Sequence, residues 1–443
     1  MKLVYGVKDK PKFGQMIVFA LQQLLAILAA TIAVPAIVGN GMSHSAALFG
    51  AGIGTIIYLL FTKFRSPAFL GSSFAFIGSM VAAFASAVSI AAGYAGLIIG
   101  AIFAGLVYVI IAVVVKFAGV KWINKLMPPV VIGPTVALIG LSLAGAAISD
   151  LQKGKVLVDG VATASPYACI ICGLVTLAVV IICSVYGKRM AKLIPFIIGI
   201  VAGYVLAAIL TLIGNATANP ALMIIDFSAF SDMQWYPDFT FITALKGVKE
   251  IDASYIATIA VAYIPVAFVV FAEHIADHKN LSSIIDSELL EDPGLHRTLL
   301  GDGVGSVAGA FFGGCPNTTY GEAVGCVAIT GNASVVTILT TAIIAILASF
   351  VAPFVTFLAT IPNCVMGGVC ISLYGFIAVS GLKMIQNVNL GLNKNLFVVA
   401  VILITGIGGL TLTFGKVTIT SIACALILGI LTNILVSKAK DEE

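Results

Sequence analysis

Apolar stretches of about 20 residues, the length at which a helix crosses the ~30 Å hydrocarbon layer, recur from Phe13 to Val436 between short turns rich in Gly, Pro and charge. The pattern predicts an all-α polytopic membrane protein of fourteen segments: 14–38, 43–62, 67–86, 91–115, 126–148, 166–187, 193–214, 254–277, 297–314, 316–331, 333–359, 362–380, 395–414 and 417–437. The third and tenth are broken, one by Pro67 and Gly71, the other by Gly313, Gly314 and Pro316. Each is expected to run extended at first and to continue as a half-helix from near Phe74 and near Tyr320. The first N–H groups of such half-helices have no partner in their own helix and suit a carbonyl or an anion. Paired broken segments are the best pointer in a transporter sequence to its substrate site.

Charge gives the sidedness. Only 9% of the residues are charged, against roughly 25% in soluble domains, which excludes an ordinary soluble enzyme. The net charge of +4 is spread over many loops, so no nucleic-acid partner is expected. With both termini inside, the cytoplasmic side collects Lys2, Lys8, Lys10, Lys12, Lys63, Arg65, Lys116, Lys121, Lys125, Lys188, Arg189, Lys192, Lys279, Arg297, Lys383, Lys394, Lys438 and Lys440. Lys153, Lys155, Lys246, Lys249 and Lys416 remain outside, an asymmetry that an odd number of spans would scramble. The N-terminus reads as a retained first span, because no small-residue cleavage site follows its lysines. The Cys169 and Cys172 pair lies in an apolar span and reads as buried packing rather than as a zinc or redox site.

A polar stretch at 215–253, carrying Asp226, Asp232, Asp238, Glu250 and Asp252, divides the chain into two groups of seven spans. An odd number in each half turns the second upside down relative to the first, as in the inverted repeats of secondary transporters. Short parallels agree: Gly71-Ser72-Ser73-Phe74-Ala75-Phe76 with Asn317-Thr318-Thr319-Tyr320-Gly321-Glu322, and Pro128-Pro129-Val130-Val131-Ile132-Gly133 with Pro362-Asn363-Cys364-Val365-Met366-Gly367.

Four acids, Glu273, Asp277, Asp302 and Glu322, fall within or at the edges of the spans, whose interiors hold no Lys or Arg. An ionised acid in hydrocarbon costs about 2.5–3.5 kcal/mol or more, so such residues face an interior cavity. Glu273 and Asp277 are one turn apart on one helix face, and Glu322 follows the second half-helix start. Acids near backbone donors can hold a ligand that offers both N–H and C=O, and with no fixed cation beside them they are candidate proton carriers. Asp277 reads equally well as a solvated helix-end acid, and Asp302 as structural or gating. His274 is expected in a structural hydrogen bond, and His278 in solvent at the start of a charged loop. A metal held by Glu273, Asp277 and His278 fits the spacing, although no HExxH or equivalent pattern supports it. No nucleophile and base pair suggests an enzyme.

These residues, with Leu70-Gly71-Ser72-Ser73-Phe74-Ala75-Phe76, Ala272-Glu273-His274, Asp292-Pro293-Gly294-Leu295-His296-Arg297 and Pro316-Asn317-Thr318-Thr319-Tyr320-Gly321-Glu322, resemble the nucleobase-ascorbate transporters, also called nucleobase/cation symporters, and among them the bacterial uracil permeases. The resemblance runs from Gln15 to about Leu435. It implies fourteen spans in two inverted seven-span repeats, divided into a core domain at 14–115 and 254–359 and a gate domain at 116–214 and 360–437. The outer loop at 215–253 and the cytoplasmic termini 1–13 and 438–443 complete the chain. It further implies that Glu273 and Glu322 accept pyrimidine N–H groups, that backbone N–H groups around Phe74 and Gly321 meet the carbonyl oxygens, and that Tyr320 shapes the pocket. Ser73, Thr319 and Gln23 would support it, and Glu273, Asp277 and Glu322 would carry coupling. No cofactor is implied; the coupling ion would be the proton, with sodium an open alternative, and dimers would form through the gate. Two departures bear on this: Gln22-Gln23 stand where relatives show Gln-His, and Asp277 stands where uracil permeases carry His and purine carriers Asp. A xanthine or other purine symporter is therefore the alternative, and an anion exchanger of the same fold the more distant one.

Overall fold

Long helices with one packed and one bare apolar face make up most of the chain, a computed structural model that describes all residues except 1–2, 120–127, 159–160, 189, 232, 387, 415–416 and 438–443. Lys2, Lys121, Lys125, Arg189, Lys416, Lys438 and Lys440 of the expected charge asymmetry, and Asp232 of the outer loop, lie outside the described residues. In chain order the helices are α1 (Phe13–Val38), α2 (His44–Phe61), α3 (Ile77–Ala85), α4 (Ile90–Ala118), α5 (Pro129–Ser142), α6 (Ala144–Asp150), α7 (Pro166–Tyr186) and α8 (Pro195–Thr217). There follow α9 (Thr240–Gly247), α10 (Ala253–Ile285), α11 (Leu295–Gly313), α12 (Gly321–Thr330), α13 (Val335–Ala348), α14 (Ala352–Thr360), α15 (Asn363–Met384), α16 (Asn393–Ile407) and α17 (Ser421–Val436). Among the described residues eight helical stretches are long and apolar enough to cross a membrane, or nine if the bent pair α13 and α14 is one span. On α4 the exposed residues Ile102, Leu106, Ile110, Val113 and Phe117 form a stripe at three- and four-residue spacing while Leu97, Ala101, Ala104, Tyr108 and Ile111 are buried. That is a helix with one face packed on protein and one apolar face left bare, as a membrane-spanning helix has.

Helices α1 to α4 pack with α10 to α13, and α5, α7 and α8 pack with α15, α16 and α17. The tightest seam in the first set is that of α2 with α11. A Cβ on Gly50 would stand 2.7 Å from the Gly309 carbonyl oxygen, and one on Gly305 2.8 Å from that of Gly54, so only glycine lets these backbones approach as small-residue seams do in membranes.

Both broken segments start as strands. β1 (Leu70–Ser72) and β2 (Asn317–Thr319) pair antiparallel, Leu70 opposite Thr319 and Ser72 opposite Asn317. Thr55 of α2 holds the first strand through a bond from Leu70 N–H at 2.9 Å. The Asn317 amide donates to the Gly50 carbonyl at 2.9 Å. Two half-helices thus leave one buried ribbon, an arrangement that satisfies extended backbone at membrane depth inside the protein.

Four segment boundaries need correction. The stretch 333–359 is no single span: α13 and α14 meet at 83°, where Pro353 near the start of α14 has no N–H to continue the helix. The stretch 395–414 is helical only to Ile407 and goes on as strand Leu412–Phe414 paired with Val417–Ile419. The half-helix expected from Phe74 begins three residues later, at Ile77. The eighth segment does not end at Asp277, since α10 runs to Ile285 with Asp286 as its left-handed cap.

Candidate functional site

The ribbon carries its half-helix starts to a cavity of about 490 Å³, within the usual range for small-molecule sites. Glu273, Asp277, Phe74, Tyr320, Gly321, Glu322 and Thr319, seven residues singled out in the sequence, all line it. Glu273 and Asp277 project from one face of α10, with Glu273 about 18 Å from the helix end at 1.5 Å per residue. Asp277 accepts a hydrogen bond from Thr319 Oγ1 at 2.8 Å, which fixes it beside the start of α12. One of its carboxylate oxygens lies 3.8 Å from where a Cβ on Gly321 would stand.

Among the described residues, Lys and Arg make no ion pair with Glu273, Asp277 or Glu322; the ion pairs are Arg65 with Asp292 and His274 with Asp302. Glu273 and Glu322 likewise receive no hydrogen bond from a described side chain; what lies beside the Glu322 carboxylate is its own N–H. Their oxygens therefore stand ready as acceptors facing the cavity.

Donors come from the half-helix starts. Ser73 N–H is spent on the Pro316 carbonyl and Tyr320 N–H on that of Phe69, at 2.9 and 3.2 Å. The N–H groups of Phe74, Ala75 and Phe76 have no partner among the described residues, and Gly321 opens α12, where the first N–H groups are likewise free of intrahelical bonds. The Tyr320 hydroxyl is committed to structure, donating to the Ser72 carbonyl at 2.7 Å, so its ring rather than its oxygen faces the cavity. Phe74 meets Tyr374 of α15 edge to face at 6.0 Å.

Two supporting residues are not at the wall. Ser73 is fully buried just after β1, and Gln23 is buried under α12, where its amide donates to the Ala323 carbonyl at 3.3 Å. Thr318, next to Thr319 on β2, also lines the cavity. The expectation of a solvated His278 also fails. The extra turns of α10 bury it, with Nδ1 2.7 Å from the His274 carbonyl and Nε2 2.6 Å from the Tyr58 hydroxyl. It faces away from Glu273 and Asp277, and among the described residues no three His, Cys, Asp or Glu side chains converge as a metal site does.

His274, as expected, is in structural bonds. Its Nδ1 lies 2.7 Å from Asp302 and its Nε2 2.9 Å from Thr298 Oγ1. Thr298 spends its own hydrogen on the Leu295 carbonyl, so His274 Nε2 donates to it and one proton is shared between Nδ1 and Asp302. Charged pair or neutral pair, the sum is zero, and the fully buried Asp302 is matched without entering the cavity.

The far wall was not foreseen. Leu373, Phe376, Ile377, Ser380 and Met384 present one face of α15, joined by Val136 and Ile139 of α5. The cavity extends along them to Ser184 and Lys192.

Comparison with known proteins follows the same lines. The Permease family profile matches residues 14–415. The chain is 40% identical over 439 residues to a uracil permease of Bacillus caldolyticus, covering 98% of this chain and 95% of that one. It is 35% identical to the uracil permease of Escherichia coli K12, covering 96% and 92%. Among solved structures, the transmembrane domain of the cyanobacterial bicarbonate transporter BicA superposes with a TM-score of 0.64 at 16% identity, over 97% of this chain and all of that one. The murine anion transporter Slc26a9, in its inward-facing state, gives 0.66 at 13% over 97% and 69%. At these identities the likeness is one of fold, the inverted seven-plus-seven repeat.

Proposed function

Because the chain belongs to the nucleobase-ascorbate transporter family, we propose that it carries uracil, or a close pyrimidine base, across the cell membrane together with protons. The observation that carries this reading is the pairing within one cavity of two carboxyl groups that no described side chain bonds, Glu273 and Glu322, with the backbone donors at the starts of α3 and α12. A uracil ring presents N–H and C=O groups around one edge, and acceptors matched to its N–H groups beside donors matched to its C=O groups complement it. An inorganic anion has no N–H to offer these acids, which disfavours for this chain the anion transport named for the structural neighbours.

Binding is followed by movement of the set 14–115 and 254–359, the core, against the set 116–214 and 360–437, the gate. Glu273, Glu322 and the half-helices belong to the first and the α15 wall to the second, so sliding one past the other would carry the base from one side of the membrane to the other. The termini lie in the cytoplasm, and the cavity's extension toward Lys192 supports an inward-facing state for this structure. Asp277, tied to Thr319 yet lining the cavity, joins Glu273 and Glu322 as a proton carrier. Pairing of two copies through the gate belongs to the same reading.

The test is proton flux induced by uracil in liposomes that contain only this protein. Internal acidification on adding uracil, kept when sodium is replaced at fixed pH, supports the reading. Flux that needs sodium replaces the proton as coupling ion. Displacement of labelled uracil by xanthine at equal concentration transfers the site to a purine, the assignment that Asp277 by its residue type would favour.

A further inference from the structure

The half-helix α12, which brings Gly321 and Glu322 to the cavity, is held at its inner end by chain from the extreme N-terminus. Val4 N–H and Tyr5 N–H donate to the Gly331 carbonyl at 2.8 and 3.2 Å. In return Ala333 N–H donates to the Tyr5 carbonyl at 2.9 Å and Val335 N–H to that of Val7 at 3.1 Å. Ser334 Oγ adds a bond to the Asp9 carbonyl at 2.6 Å. Gly331 is the left-handed cap that ends α12, so these bonds take hold at the residue where the half-helix would otherwise be free to swing. The segment is in turn fixed to α1, its Tyr5 hydroxyl donating to Gln15 at 2.7 Å and its ring meeting Phe19 edge to face at 6.0 Å. Further along α1, Gln23 reaches the Ala323 carbonyl in the first turn of α12.

The other half-helix shows what this replaces. At the far end of α3 a side chain does the work: the Tyr255 hydroxyl donates to the Ala83 carbonyl at 2.8 Å and lies 3.3 Å from that of Ala92. At the corresponding end of α12 the bonds come instead from main chain that lies outside the repeated spans.

We infer that residues 3–9 are a strap that positions α12, so that the N-terminal segment sets the aim of Glu322 and of the Gly321 N–H into the cavity without touching the bound base. Val4 and Tyr5 are its positioning residues and act through Gly331. The inference rests on the uracil reading for its binding readout alone; its structural half is read separately.

The experiment uses the full-length protein in detergent, with hydrogen exchange followed by mass spectrometry and uracil binding by calorimetry. Val4→Pro removes one N–H of the strap, and the exposed Val4 side chain adds little of its own. Gly331→Ala attacks the same joint from the other side, because Gly331 has φ +67° and an added Cβ would stand 3.3 Å from Val4 N. Val4→Ala keeps the N–H. The expected result for both disruptive variants is amide exchange about fivefold faster over 321–331, the scale of one lost hydrogen bond, with exchange in α15 unchanged. Uracil Kd rises about threefold to tenfold, and Val4→Ala behaves as wild type in both measurements. Unchanged exchange over 321–331 in both variants, or faster exchange with an unchanged Kd, overturns the strap. Should wild-type protein bind no uracil, it is the transport reading that fails, and the exchange result alone decides on the strap.

Discussion

Glu273→Gln keeps the volume of the side chain and removes its charge, and the surroundings predict effects of opposite sign on stability and on binding. In the unliganded protein Glu273 takes no ion pair and no hydrogen bond from a described side chain, so the substitution breaks nothing there. It relieves like-charge crowding with Asp277 one turn away, a term of about 0.2–0.5 kcal/mol for such spacing. The melting temperature without ligand should therefore stay the same or rise slightly. Binding goes the other way. Gln retains one acceptor oxygen but without charge, a loss of about 1 kcal/mol, and turns the other oxygen into a donor that opposes any ring N–H it meets, at about 1–3 kcal/mol. The sum of about 2–4 kcal/mol corresponds to a uracil Kd raised roughly thirtyfold to a thousandfold. Calorimetric titration and thermal unfolding of the same preparation measure both quantities. A Kd within about threefold of wild type refutes the role of Glu273 as ligand. A melting temperature that falls along with the affinity shows a structural acid and refutes the reasoning on its free carboxylate.

Glu322→Gln is expected to weaken uracil binding similarly, and full uptake by both Gln variants together would remove the site assignment. Asp277→Asn still offers Thr319 an acceptor oxygen, so uracil binding should remain within a few-fold while uracil-driven acidification slows; undiminished proton flux would take Asp277 out of the proton route. In Gly71→Ala the new Cβ would lie 2.3 Å from Tyr320 Cε2, and displacing the ring costs about 1–3 kcal/mol of overpacking plus about 1 kcal/mol for its bond to Ser72. Thermal unfolding should show that loss together with weaker binding, and a variant as stable as wild type would contradict the packing. Asp302→Ala strands His274 Nδ1 in a fully buried site and should destabilise by about 3–5 kcal/mol, read by the same melting assay.

The broken segments were legible because their cause is local. Pro67 and Gly71, and Gly314 and Pro316, cluster within a few residues and together interrupt a helix, where a lone proline such as Pro35 of α1 or Pro265 of α10 does not, and an acid such as Glu322 in an apolar run stands out against its neighbours. The far wall of the cavity was not legible, for a reason that follows from the membrane itself. On a soluble helix an apolar stripe marks the buried face, but α15 is apolar on nearly every side, so the face bearing Leu373, Phe376 and Met384 has no signature apart from the faces that meet lipid or other helices. Lys279 and Asn280 look like the start of a loop, yet α10 continues about one and a half turns beyond them, with Leu281 and Ile285 buried, and that continuation is what places His278 inside.

The pairing of β1 with β2 is the feature that local patterns could least have supplied, and it determines the site. Strand partners lie some 245 positions apart in sequence, and in the register observed Ser72 meets Asn317 and Leu70 meets Thr319. A slip of one residue would turn each strand's side chains to the opposite face, taking Thr319 away from Asp277. What prevents the slip is neither strand's own sequence but their shared neighbour α2: Thr55 binds the Leu70 N–H, and the Gly50 carbonyl, exposed by a glycine seam, binds Asn317. A helix that contributes no side chain to the cavity wall therefore fixes which residues do. Substituting Asn317 with Leu should accordingly disturb binding through register, and it should do so even though the Asn317 side chain is itself turned away from the cavity.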